Sequence, residues 1–213
     1  MRDSSALPAL VLASASPRRR ELLGGLGAVF AVRPVDLDET PRPGEAPRDY
    51  VLRLAIEKAA AGARSTPEDG GELVLAADTT VVLDGEILGK PQDEADARRM
   101  LGRIAGREHL VLTGVALHES RAAGEPRRAS TVETSRVRMA PMSEEEIAGY
   151  VATGEPLDKA GSYAVQGLGA LFVEEVFGNY TNVVGLPLPA TRRLFAELGY
   201  DLRQFSRSFS RRT

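Results

Sequence analysis

The chain has 213 residues, 43% of them hydrophobic and 27% charged, which is enough apolar content to bury a substantial core and too much for a disordered chain. Its 27 Lys+Arg against 30 Asp+Glu leave a net charge of −3, which argues against a general nucleic-acid or anionic-membrane binder and makes any anion site a local one. Cysteine is absent, which excludes disulfides, thiolate metal sites and a cysteine nucleophile, and fits a reducing compartment.

The first residues, "MRDSSALPALVLASASPRRR", lack the apolar core and small-residue cleavage pattern of a signal peptide, and no later run is long enough to span a bilayer. The expected location is cytoplasmic, with no membrane partner. "ALVLASA" (9–15) reads as a buried strand; Ser16 is a good helix N-cap, Pro17 suits the first helical position, and Gly24-Gly25 suits the stop. "AVFAVRPV" (28–35) predicts a second strand, leading into "DLDET" and a Pro-rich loop.

Over 47–63, "PRDYVLRLAIEKAAAGA" repeats apolar residues at helical spacing, so that Tyr50, Val51, Leu54, Ala55 and then Lys58 share one face. "ELVLAADTTVVLDGEIL" predicts a long strand, an Asp-Gly turn and a return strand. After "GKP", "DEADARRMLGRIAG" has acids at its start and bases toward its end, as a helix does. "EHLVLTGVALHES" and "ASTVETSRVRMA" read as two long antiparallel strands, and Ser143 with Glu146 forms a capping box for "SEEEIAGYVATG". A Gly-rich stretch from 155 to 188 with specific polar residues precedes a last helix, "PATRRLFAELG", and an Arg/Ser tail over 200–213 that is expected to be flexible.

Chemistry concentrates at a few places. Arginines in the first turn after Pro17 oppose the helix dipole unless an anion joins them, so Ser14, Ser16, Arg18 and Arg19 make either a phosphate cradle or a solvated basic turn. Asp78 interrupts an apolar strand, where an ionised carboxylate calls for a cation, a metal or dense hydrogen bonding. Asp36, Asp38 and Glu39 in a strand-exit loop are a weak metal hint, and Lys58, Lys90 and Lys159, each a surface lysine when taken singly, together with two arginines suit a polyphosphate. "GEILGKP" lacks the spacing and the Ser or Thr of a phosphate-binding P-loop. His109 and His118 stand alone in strand patterns and read as structural.

Together "LASASPRRRELL", "AADTTVVLDGEILGKP", "TGVAL" and "EPLDKAGSYAVQGLGALFVEEVFGNYTNVVGLPL" resemble the Maf family of nucleoside triphosphate pyrophosphatases, in order, over about residues 10–195. The resemblance implies one Maf-like domain across 1–213, with an α/β fold: an elongated twisted mixed sheet flanked by helices, in two lobes around a cleft, as in the inosine triphosphatase (Ham1-like) architecture. It implies hydrolysis of dTTP and UTP to monophosphate and pyrophosphate, with a divalent cation, Mg²⁺ or Mn²⁺, as cofactor, and a homodimer that binds no nucleic acid.

By the same resemblance Asp78 is the proton acceptor, Ser14, Arg18, Arg19, Lys58, Lys90 and Lys159 bind substrate, and Glu39 with Asp78 holds the metal. Whether Asp78 is base, metal ligand or both stays open. Arg18, Thr79 and Gln166 follow the pyrimidine branch, where the branch acting on 7-methylguanosine triphosphate has Trp, Gln and Glu. Two rivals remain: a purine house-cleaning pyrophosphatase and a non-catalytic nucleotide-binding regulator of cell division. Asn179 departs from the small residue common in the family.

Overall fold

The computed structural model describes residues 7–64, 71–120 and 125–207. Strand β1 (Ala9–Leu12) leads to helix α1 (Pro17–Gly25), and a two-residue strand β2 (Ala31–Val32) precedes helix α2 (Pro47–Arg64). Next come β3 (Glu72–Leu83), β4 (Glu86–Leu88), helix α3 (Glu94–Ile104), β5 (Glu108–Ser120) and β6 (Arg127–Met139). Helix α4 (Glu144–Ala152), three short 3₁₀ turns, β7 (Val173–Phe177), α5 (Tyr180–Val184) and α6 (Leu188–Glu197) complete the order, with a further 3₁₀ turn at Leu202–Phe205.

The strands form one mixed sheet in the order β2-β1-β3-β5-β6-β7, with β4 also on β3. β1 runs parallel to both β2 and β3, and the remaining pairs are antiparallel, so the α/β fold has a curled mixed sheet flanked by helices. The β3–β4 turn is the expected Asp-Gly one: Asp84 and Gly85 have φ 52° and 83°, the left-handed pair that a type I′ hairpin needs. Ser16 and Asp93 cap α1 and α3, and the Ser143–Glu146 capping box closes on both sides.

Strand alternation on β3 sorts the core. Odd-numbered Leu73, Leu75 and Ala77 pack with Leu23, Leu194 and Phe195 from α1 and α6, whereas Val81 and Leu83 pack with Leu101, Ile104 and Ile147 from α3 and α4. Even-numbered Val74 and Ala76 lie under Ala55 and Ala59 of α2, which covers the opposite face. One face of the sheet thus carries two helical lobes with a break between them at Thr79.

Two expectations are corrected. The strand expected over 28–35 shrinks to Ala31–Val32, because its neighbours bond elsewhere: Val29 N–H donates to Phe205 O (2.8 Å), and Ala28 bridges to Ser206. The same contacts overturn the flexible tail over 200–207, where Leu202 and Phe205 are buried and the Ser206 hydroxyl donates to Leu26 O (2.7 Å). Residues 208–213 lie outside the described ones.

Both histidines are buried, in keeping with a structural role. His109 Nε2 lies 2.8 Å from the Tyr163 hydroxyl in an edge-on ring contact, and burial pulls its pKa down to about 4. Between that value and the ordinary 6.5 the unfolded chain binds the extra proton, so stability is lost as pH falls through this window. The expected loss is about 3 kcal/mol; urea midpoints at pH 7 and 4.5 should differ less in His109→Gln than in wild type.

Candidate active site

The sheet leaves an opening beside β3. One edge of β3 pairs with β1 from Glu72 to Leu75 and with β4 from Val81 to Leu83, so the edge between them, which includes Asp78 and Thr79, faces no strand. A cleft of about 380 Å³ opens there, at the carboxyl end of β1 and the start of α1, the position where open α/β sheets bind ligands. Five basic side chains and three carboxylates line it, in a protein whose overall charge is negative.

Each expected site residue reaches this cleft: Ser14, Arg18 and Arg19, Glu39, Lys58, Asp78 and Thr79, Lys90, Lys159 and Gln166. On the even face of β3, Lys58 Nζ donates to Asp78 Oδ1 at 2.7 Å and to Glu39 Oε1 at 2.5 Å. Lys58 and Asp78 are 8% and 7% exposed, so the pair is almost out of water: removing Lys58 would strand the Asp78 charge, whereas Lys58 without Asp78 keeps Glu39. The Tyr50 hydroxyl donates to the main-chain oxygen of Glu39 (2.9 Å), fixing the loop that carries it. Burial, with Asp78 and Glu39 nearby, pushes the Tyr50 phenol up to about 12, so it stays a donor. Burial would raise Glu39, and Lys58, Lys90 and Arg19 outweigh it, holding the carboxylate below its ordinary pKa.

On the odd face, the arginines divide their work. Arg19 is a cross-brace: Nε donates to Gly185 O (2.8 Å), Nη1 to Ser14 Oγ (3.1 Å) and Nη2 to Thr79 Oγ1 (3.0 Å). Burial lowers its pKa, and the charge of Asp78 opposes that shift. Two of the five guanidinium donors are left for a ligand. Arg18 is less engaged, with Asp158 as its partner at 3.5 Å. The same carboxylate takes Lys159 Nζ at 2.6 Å, so an internal anion sits between two expected phosphate ligands. Exposed Lys90 follows β4 at the rim.

Several members were not legible in advance. Thr79 Oγ1 lies 2.9 Å from Thr113 Oγ1, which donates to Asn182 O (3.1 Å), and Asn182 Nδ2 in turn donates to Val111 O and Ser135 Oγ. This buried chain ties Arg19 and Thr79 to α5, whose N-cap is Asn179. The "TGVAL" and "NYTNVVG" blocks carried the signal, as polar residues inside apolar strands and turns. Arg19→Lys keeps the charge but cannot span the three acceptors, so kcat/KM should fall about 10–100-fold with an unchanged far-UV spectrum; steady-state kinetics checks this.

Glu39 and Asp78 place two hard oxygen donors around one cation, the Lys58 ammonium, which is donor chemistry that suits Mg²⁺ or Mn²⁺ shared with phosphate oxygens. Among the described residues no three His, Cys, Asp or Glu side chains gather as a fuller protein cage. No helix among them is long and apolar enough to cross a membrane.

Cations, hydroxyls and paired carboxylates at a break in a mixed sheet define an α/β protein whose cleft suits a polyanion together with a cation. The chain belongs to the Maf family, matching Maf-like protein over residues 9–198. A dTTP/UTP pyrophosphatase of Anaeromyxobacter dehalogenans is 56% identical over 195 residues, covering 92% of this chain and 96% of that protein. One of Shewanella oneidensis is 51% identical over 195 residues, covering 89% and 98%. Among solved structures, the Staphylococcus aureus Ham1 protein aligns with 96% of this chain and 90% of its own, at 16% identity and a TM-score of 0.42.

Proposed function

We propose that this chain is a nucleoside triphosphate pyrophosphatase that hydrolyses dTTP and UTP to the monophosphate and pyrophosphate. The observation that carries the reading is the Lys58 ammonium holding both Asp78 and Glu39 at the floor of a cleft ringed by Arg18, Lys90 and Lys159. Relatives more than half identical to this chain that bear the name dTTP/UTP pyrophosphatase support it.

In this reading Arg18, Lys90 and Lys159 hold the triphosphate, and Arg19 with the Ser14 hydroxyl positions it over β3. Lys159 and Arg18 exchange Asp158 for phosphate oxygens as substrate enters. Asp78 orients a water and takes its proton as the water oxygen bonds to the α-phosphorus. The bridging P–O bond breaks, its electron pair leaves on pyrophosphate, and the cationic rim stabilises that growing charge. Lys58 keeps the Asp78 carboxylate aimed at that water until the proton moves. A divalent cation such as Mg²⁺ or Mn²⁺ would be held by Glu39 and Asp78 and would supply further charge neutralisation and acidification of water.

Gln166, Arg18 and Thr79 set the preference for pyrimidine bases, the Gln166 amide offering both a donor and an acceptor to the base edge. The reading carries with it the cytoplasmic location and homodimer that the family resemblance implies. A panel of UTP, dTTP, CTP, ITP and GTP tests it by relative kcat/KM. Preference for UTP and dTTP supports it, preference for ITP installs the purine rival, and tight binding of a nucleotide without cleavage installs the regulator.

A further inference from the structure

Gln166 lies in an exposed loop, where a side chain that discriminates bases needs its backbone held. The hold comes from two residues outside the cleft's lining. Glu155, at the start of a 3₁₀ turn (Glu155–Asp158), turns its carboxylate under the loop: Oε2 accepts from Leu168 N–H (3.0 Å) and Oε1 from Gly169 N–H (2.9 Å). The Tyr150 hydroxyl, from α4, donates to Glu155 Oε1 (2.8 Å) and accepts from Ala164 N–H (3.2 Å). Gln166 is therefore spanned: the chain is tied two residues before it and two and three residues after it to one hydrogen-bonded pair.

The glycines of "QGLG" show how closely the loop is drawn onto that pair. Gly167 has φ +66°, and a Cβ there would stand 2.5 Å from Glu155 Oε2; at Gly169 it would stand 2.5 Å from the Tyr150 hydroxyl and 2.4 Å from Ala164 O. Burial would raise the Glu155 pKa, and the loop N–H groups and Tyr150 outweigh it, so the carboxylate stays charged and keeps accepting. The same residue's main-chain oxygen accepts from Lys159 Nζ at 2.5 Å. One residue thus braces the base-facing loop with its side chain and a phosphate-facing lysine with its backbone.

We infer that Glu155, with Tyr150, is a positioning element for base selection, holding Gln166 in register with the triphosphate site. This rests on the reading of the cleft as a pyrimidine triphosphate site. Glu155→Gln tests it, because the amide nitrogen that replaces one carboxylate oxygen donates and does not accept, so one of the two loop N–H groups loses its partner while the side chain's volume is almost unchanged.

The measurement is kcat and KM for UTP and for GTP in wild type, Glu155→Gln, Tyr150→Phe, Gln166→Ala and the Glu155→Gln/Gln166→Ala double variant. We expect the UTP/GTP ratio of kcat/KM to fall about tenfold in Glu155→Gln, through the KM for UTP, and less in Tyr150→Phe. The double variant should discriminate no worse than Gln166→Ala alone. An unchanged ratio in folded Glu155→Gln, or equal losses for both nucleotides, overturns the inference and leaves the pyrimidine reading standing. Absence of any UTP preference in wild type overturns both. Where Glu155→Gln does not fold, Tyr150→Phe carries the same test.

Discussion

Asp78→Asn is expected to fold as the wild type does and to lose about 10³-fold in turnover, the scale of a positioned proton acceptor. Asparagine has the same shape, and its Oδ1 still accepts from Lys58 Nζ across the 2.7 Å contact, so the even face of β3 keeps its packing. What goes is the negative charge that, in the proposed mechanism, aims a water and takes its proton. Lys58 is left with Glu39 alone, and a melting temperature within a few degrees of wild type would separate lost chemistry from lost structure. A folded variant turning over near the wild-type rate would remove Asp78 from the mechanism.

Gly114→Ala is expected to damage the fold and the site together. Gly114 on β5 pairs in register with Asp78, and α2 crosses so close above it that an added Cβ would stand 2.1 Å from Val51 O. The obstacle is helix backbone, which cannot swing aside as a side chain tip does. Accommodating a methyl means lifting α2, the helix that carries Tyr50 and Lys58. Overpacking of this kind costs about 3 kcal/mol, or roughly a 10 °C lower melting temperature in a domain of this size. Activity measured well below the new midpoint should fall too, because Lys58 moves relative to Asp78. A scanning-calorimetry midpoint equal to wild type would show that α2 does not rest on Gly114.

Features whose causes are local in sequence were legible in advance. Ser16, Pro17 and the arginines after them announce a capped helix with an anion-seeking start, and the structure brings Ser14, Arg18 and Arg19 to one cleft. Asp78 stood out because a carboxylate amid "LVLAADTTVVL" demands a partner, which Lys58 supplies from twenty residues away. Other features depend on partners distant along the chain. Residues 28–35 have an apolar pattern that fits a strand, yet Phe205 takes the Val29 N–H, and no periodicity announces that. The break between β1 and β4, which makes the cleft, is a property of pairing and not of either strand's composition. Thr113, Asn182 and Glu155 each act through hydrogen bonds to segments that only the fold brings together.

The purine rival and the regulator share the cleft's general chemistry, so the fate of bound UTP discriminates best. A single-turnover reaction of excess protein with UTP and Mg²⁺, run beside Asp78→Asn and followed by chromatography of all phosphorylated species, tests the account most directly. UMP and pyrophosphate should form in equal amounts with the wild type, and over the same time UTP should stay intact with the variant. Formation of UDP and inorganic phosphate, or no cleavage of bound UTP by the wild type, would contradict it.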